Sequence, residues 1–235
     1  MLSSLAHMHQ EMLDISRTSG LRIAVGTIAG ALAAVLANAL IAFHQRHPEV
    51  TVDLQEGTSA DLLEGLQSGV LDLALCRTSV AKRTDLFEFE WLHEEEVAVA
   101  VSPMHALSQA RNVSWQQVVQ YPWILFPGHM PLRTLLEREA ASNGVVLGLR
   151  PVETASTFAT ALLLNKSPEM VALMSLETLE FFAARGTVVR LDLRVQANAE
   201  PYGIVTRSGA TEPDVVAALK DCIRRQALSA ARPRT

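Results

Sequence analysis

Two periods of apolar residues alternate along this chain, and they change over in a regular order. Leu2, Leu5, Met8, Met12 and Ile15 recur at helical spacing and predict a helix closed by Thr18-Ser19-Gly20. Leu21–Val25 alternates as a strand and runs through Gly26-Thr27 into an almost wholly apolar helix, Gly30–His47. Pro48 stops that helix, because the residue before proline avoids the helical region. A strand Val50–Gln55, a helix Asp61–Gln67 and a strand Leu71–Cys76 follow. Thr58-x-x-Asp61 reads as a capping box with Asp in place of Glu, and Gly69 as the C-cap. This β-α-β-α-β run predicts a parallel sheet with right-handed crossovers.

The same style continues downstream. Phe87–Leu92 and the triplet Glu94-Glu95-Glu96 precede a strand Val97–Val101, and the acidic triplet marks a crossing between lobes. Trp115–Gln120 reads as a helix, Trp123–Phe126 as a strand ending at Pro127-Gly128, and Leu132–Ser142 as a helix stopped by Asn143-Gly144. Pro151–Glu153 and Met170–Met174 are strands around a helix Ser156–Leu164. Leu176–Arg185 is a helix capped by Gly186, and Val188–Leu193 a strand. The strand Tyr202–Thr206 and the helix Glu212–Leu228, started by Thr211 and Pro213, need a sheet to join. Returning them to the first sheet leaves two crossings between two lobes, with ligands expected at the C-terminal strand ends.

Composition narrows the function classes. A net charge of -5 without clustered Lys/Arg argues against a nucleic-acid surface. Two cysteines, Cys76 and Cys222, lie in apolar patterns, with neither disulfide nor metal spacing, which favours a reducing compartment. No charged start leads into an apolar run, as a signal peptide requires. The apolar run Ile28–Phe43 is short for a membrane span and contains Asn38, so it reads as a buried helix. A helix apolar nearly all round buries more than one face. One face packs on the sheet, and the other, with Leu36 as a test position and the neighbouring strand Val50–Gln55, is expected to meet a second copy of the chain.

Candidate chemistry gathers at strand ends. Thr27 and Thr58 follow glycines there, where hydroxyls and helix N-terminal N–H groups suit an anion; helix capping is the other reading. Arg77 ends the strand Leu71–Cys76 and suits a carboxylate or a surface ion pair. His129 follows Pro127-Gly128 at a strand end, and Thr154, Ser156 and Thr157 lie at a helix start; both sets also read as ordinary loop and cap residues. Met174 fits either a pocket wall or the core. No P-loop or Gly-x-Ser-x-Gly elbow is present, Cys76 has no identifiable base, and His44/His47 lack a third metal ligand. These readings predict no enzyme, no cofactor and no metal.

Four stretches together carry a family resemblance: Leu21–Gly26, Phe43–Val50, Leu62–Leu75 and Glu95–Leu107. In order and spacing, over about residues 21–228, they resemble the effector-binding region of LysR-type transcriptional regulators. Met104, and Ala106 in place of a proline, depart from the family's usual pattern around His105. Tyr121-Pro122-Trp123 and Val152-Glu153-Thr154 look like the subgroup governing catabolism of aromatic acids or sugars. The resemblance implies an α/β, two-lobed fold like type 2 periplasmic binding proteins, with two interlobe crossings. Its implied parts are a linker end at 1–20, subdomain I at 21–94 and 201–235, and subdomain II at 95–200.

It further implies a small anionic, carboxylate-like effector in the interlobe cleft. The candidate set is Thr27, Ile28, Thr58, Ser59, Arg77, Gly128, His129, Thr154 and Met174. The expected assembly is a homodimer or tetramer in the cytoplasm, with no membrane contact. DNA would be touched only through a winged helix-turn-helix that this sequence lacks, so the chain reads as a fragment of a longer regulator. A solute-binding receptor of a transport system is the alternative.

Overall fold

A computed structural model describes residues 22–148 and 152–230. The expected helix at 2–16, along with Leu21 and Pro151, lies outside the described residues. The described residues divide into two units, those within His93–Tyr202 forming the second and those before and after it the first.

In the first unit, β1 (Arg22–Thr27) pairs in parallel with β2 (Thr51–Glu56) and β3 (Leu73–Cys76). The sheet continues through β10 (Tyr202–Arg207), antiparallel to β3, to an edge strand β4 (Phe87–His93), in the order β2-β1-β3-β10-β4. The parallel run and the return of the last strand therefore match the sequence pattern. β10 approaches β4 so closely that a Cβ on Gly203 would lie 2.1 Å from the Glu90 carbonyl oxygen, so only glycine fits there. β3 starts two residues later than expected. Asp72 instead binds β1 at Ala24, its carboxylate accepting from the Ala24 N–H at 2.7 Å while its own N–H donates to the Ala24 carbonyl.

Helix α1 spans residues 29–44 and is not uniform. One α-helical turn, Ala29–Ala31, leads into a π-helical stretch, Leu32–Leu36, and then α-helix Ala37–His44. Turns carry the chain on to His47, so Pro48 ends the helix a turn earlier than the sequence pattern suggests. The C-terminal helix α7 (Asp214–Ala230) packs along α1 through Val216, Leu219, Cys222, Ile223 and Ala227, the apolar stripe of a two-faced helix. This covers a second face of α1. Leu36 is fully buried and cannot sit on an interface, whereas Ala33, Ala37 and Ile41 are exposed. Edge strand β2 is exposed on both faces except at half-buried Val52. Helix α2 (Ser59–Gln67) opens with the predicted capping box of Thr58 and Asp61 and closes at Gly69, whose φ of +76° suits a C-cap glycine.

The second unit has the strand order β7-β6-β8-β5-β9. These are β5 (Val97–Val101), β6 (Trp123–Leu125), β7 (Val152–Glu153), β8 (Val171–Ser175) and β9 (Val189–Arg190). β6 is parallel to β7 and β8, while β5 runs antiparallel to β8 and β9, so the sheet is mixed. All of β5 is buried, its residues serving two faces in turn. Val97, Val99 and Val101 pack with Trp115, Trp123 and the Leu132, Leu135 and Leu136 side chains of α4 (Pro131–Ser142). Ala98 and Ala100 pack with Ile124, Met174, Leu164 of α5 (Thr157–Lys166) and Leu179 of α6 (Leu176–Ala183). The short α3 (Trp115–Val118) is the remaining α-helix among the described residues of this unit. The expected strand Val188–Leu193 shrinks to β9 plus an isolated bridge between Val113 and Leu193.

Candidate functional site

Register brings the first unit's candidates together. Thr27 lies opposite Glu56 on β2 and Leu75 on β3, so the chain leaves three neighbouring parallel strands at one edge. Main-chain bonds fix the exits: Gly57 N–H to the Thr27 carbonyl at 3.1 Å, and Ile28 N–H to the Leu75 carbonyl at 3.0 Å. The Arg77 N–H donates to Ser59 Oγ at 3.2 Å, tying the end of β3 to the start of α2. Thr27, Ile28, Thr58, Ser59 and Arg77 thus occupy one strand edge, beside the N-termini of α1 and α2.

Their side chains are more occupied than the sequence suggests. Thr27 is fully buried and its hydroxyl donates to the Ile28 carbonyl at 3.0 Å. Thr58 Oγ1 donates to Asp61 Oδ2 at 2.6 Å and accepts from the Asp61 N–H at 3.3 Å. Arg77 is 4% exposed. By contrast, the N-cap of α1, Ile28, makes no side-chain capping bond. The first turn of α1 therefore presents N–H groups that no N-cap side chain serves, at the positive end of a helix running to His44. Beside them, burial pushes the Cys76 thiol up to about 12, outweighing the opposing charge of Arg77, so the sulfur stays protonated and chemically quiet.

In the second unit the corresponding strand ends are those of β6 and β7. Gly128 and His129 are exposed in a turn closed by the Met130 N–H on the Pro127 carbonyl at 2.9 Å, just before Pro131 opens α4. Thr154 is half-buried; its N–H donates to the Leu125 carbonyl at 2.9 Å and its hydroxyl accepts from the Ser156 N–H at 3.1 Å. Ser156 Oγ caps α5 by accepting from the Ala159 N–H at 3.1 Å. Met174 is 1% exposed and packs in the alanine-side core of the sheet.

Two polar groups went unnoticed in the sequence. Arg133 is buried in the first turn of α4 and bonded to the Phe126 carbonyl, Glu137 and Glu153. The sequence signal was a cation placed among the buried Leu132, Leu135 and Leu136. His93 Nε2 lies 3.2 Å from Glu177 Oε1. That hydrogen bond raises the His93 pKa, burial opposes the rise, and the charges of Glu177, Glu95 and Glu96 add to it. Glu177 Oε2 is buried without a hydrogen bond among the described residues. Nothing in local spacing joins two residues this far apart in the chain.

The sequence matches the LysR substrate binding domain over residues 16–228, and the chain belongs to that family. The HTH-type transcriptional regulator GalR of Pseudomonas putida is 28% identical over 200 residues, covering 85% of this chain and 50% of GalR. The effector binding domain of QuiR in complex with shikimate has a TM-score of 0.72 at 19% identity, covering 88% of this chain and 97% of that one. The regulatory domain of Synechocystis PCC6803 CcmR in complex with 2-PG gives 0.71 at 15% identity, covering 87% and 96%. The fold is that of LysR effector-binding domains, an α/β fold like type 2 periplasmic binding proteins. The curated relatives are transcriptional regulators, not transport receptors. The chain spans about half the length of GalR and 65% of the Escherichia coli regulator YdcI.

Proposed function

We propose that this chain senses a small anionic, carboxylate-like effector for a LysR-type regulator whose DNA contacts are made by a separate N-terminal domain. The observation that carries this reading is the strand edge of the first unit. There the N-terminus of α1, without a capping side chain, lies beside the N-terminus of α2 and Arg77. N–H groups and the helix dipole favour an anion at such a place. In the second unit, Gly128, His129 and Thr154 are proposed as effector contacts. Shikimate on QuiR, a carboxylate, supports the ligand class by analogy.

The chain acts by population shift: an effector that prefers one conformation biases the geometry of an oligomer. Turnover is not part of this role, and the place of action is the cytoplasm, where the DNA is. No helix among the described residues is long and apolar enough to cross a membrane.

A thermal-shift screen with shikimate, benzoate and 2-phosphoglycolate tests the proposal. A ligand at 100 times its dissociation constant adds about 2.7 kcal/mol of stability. A panel of carboxylates without effect, alongside neutral sugars that stabilise, would refute the anionic assignment.

A further inference from the structure

Arg133 occupies an odd place for a cation. It lies in the first turn of α4, at the positive end of the helix, and is 6% exposed. Its contacts account for the position. Nη1 donates to the Phe126 carbonyl and to Glu153 Oε1, both at 2.9 Å, and Nε donates to Glu137 Oε1 at 2.7 Å. Phe126 directly precedes the Pro127–Gly128–His129 turn, and Glu153 directly precedes Thr154. The Thr154 N–H in turn bonds the Leu125 carbonyl at the end of β6. One guanidinium therefore joins the segments that carry Gly128, His129 and Thr154.

We infer that Arg133 is a positioning residue of the effector site, setting the exits of β6 and β7 through the Phe126 carbonyl and Glu153; this rests on the effector reading above. A planar guanidinium holds several acceptors at fixed angles, which an ammonium does not. Glu137 and Glu153 answer its charge, so the bracket supplies geometry rather than a counter-ion to the ligand.

Amide hydrogen exchange of the whole chain, followed by NMR without ligand, tests this. Arg133→Met should speed exchange of the Thr154 amide at least tenfold and shift the Gly128 and His129 amide resonances. The β5 amides, Val97–Val101, should keep their wild-type rates. Arg133→Lys should restore the pattern only in part. Equal acceleration in β5, or an unchanged Thr154 amide, would overturn the proposal. If Arg133→Met does not fold, Glu153→Ala carries the test, because it removes the acceptor of one arm and leaves the bond to Phe126. It should move Thr154 more than His129, and no change at Thr154 would again overturn the assignment. Calorimetric titration with shikimate, should it stabilise the wild type, should find binding to Arg133→Met at least tenfold weaker, and an unchanged affinity beside a faster Thr154 amide would overturn the proposal; the carboxylate screen on the wild type alone decides the effector reading.

Discussion

Replacing Glu177 by glutamine should destabilise the chain in mild acid and leave it unharmed in mild base. The folded pKa of His93 is raised above its ordinary value of 6.5, chiefly by the hydrogen bond to Glu177. A raised histidine pKa contributes stability that is fully present below the unfolded value and is lost as pH rises through the folded one. A hydrogen bond to a charged group is worth roughly 1.5–3 kcal/mol. The two side chains keep 25% and 21% of their exposure, so solvent screening reduces the pair to about 1 kcal/mol. Above the folded pKa, His93 is neutral and the charge that strengthens the hydrogen bond is gone. The buried Glu177 Oε2, without a hydrogen bond among the described residues, then makes the carboxylate a burden that glutamine relieves. Urea unfolding of wild type and Glu177→Gln in buffers from about pH 5.5 to 9 reads the difference. We expect about 1 kcal/mol of destabilisation at the acid end, equivalent to a melting shift of about 2–4 °C for a chain of this size, falling to zero or changing sign at the basic end. A difference independent of pH would show that the His93 proton does not hold the pair and would refute the reasoning.

Three further outcomes are expected. Thr58→Val removes both hydroxyl bonds to Asp61, so it should cost about 1 kcal/mol in denaturant unfolding, and an unchanged unfolding midpoint would show that the capping box adds nothing. Ile41→Glu places a charge on the exposed face of α1, where Ile41 is 61% exposed; light scattering should find less dimer while circular dichroism shows an unchanged fold, and an unaltered mass would move the interface elsewhere. Gly203→Ala should destabilise by about 3 kcal/mol or more, because its Cβ would meet main-chain atoms of Glu90 that cannot turn aside; a melting temperature within a degree or so of wild type would count against that clash.

What the sequence exposed and what it hid divide along physical lines. Local periodicity was legible: Val97–Val101 alternates valine and alanine, and those residues serve two different core faces. The Thr58–Asp61 capping box is a spacing rule, and it formed. The closeness of Thr27, Thr58 and Arg77 followed from three parallel strands ending together, a matter of topology alone. The direction of β5 was not legible, because antiparallel and parallel buried strands share one pattern. Met174 lies in the core, which apolar character alone could not distinguish from a pocket wall. Arg133, Glu177 and His93 acquire their roles from partners remote in the chain, and no window of spacing contains those.

The wide turn at Leu32–Leu36 gives α1 a mechanical property of its own. A π-helical step takes in one more residue than an α-turn, and in an α-helix each residue advances the face by about 100° and the axis by about 1.5 Å. The first turn at Ala29–Ala31 and the outward row through Ala37 and Ile41 are therefore out of phase by one residue. Relaxing that stretch to regular α-helix would screw one end of the rod against the other. The strand edge at Thr27 and the solvent face at Ile41 are two ends of one shaft, geared through its wide turn.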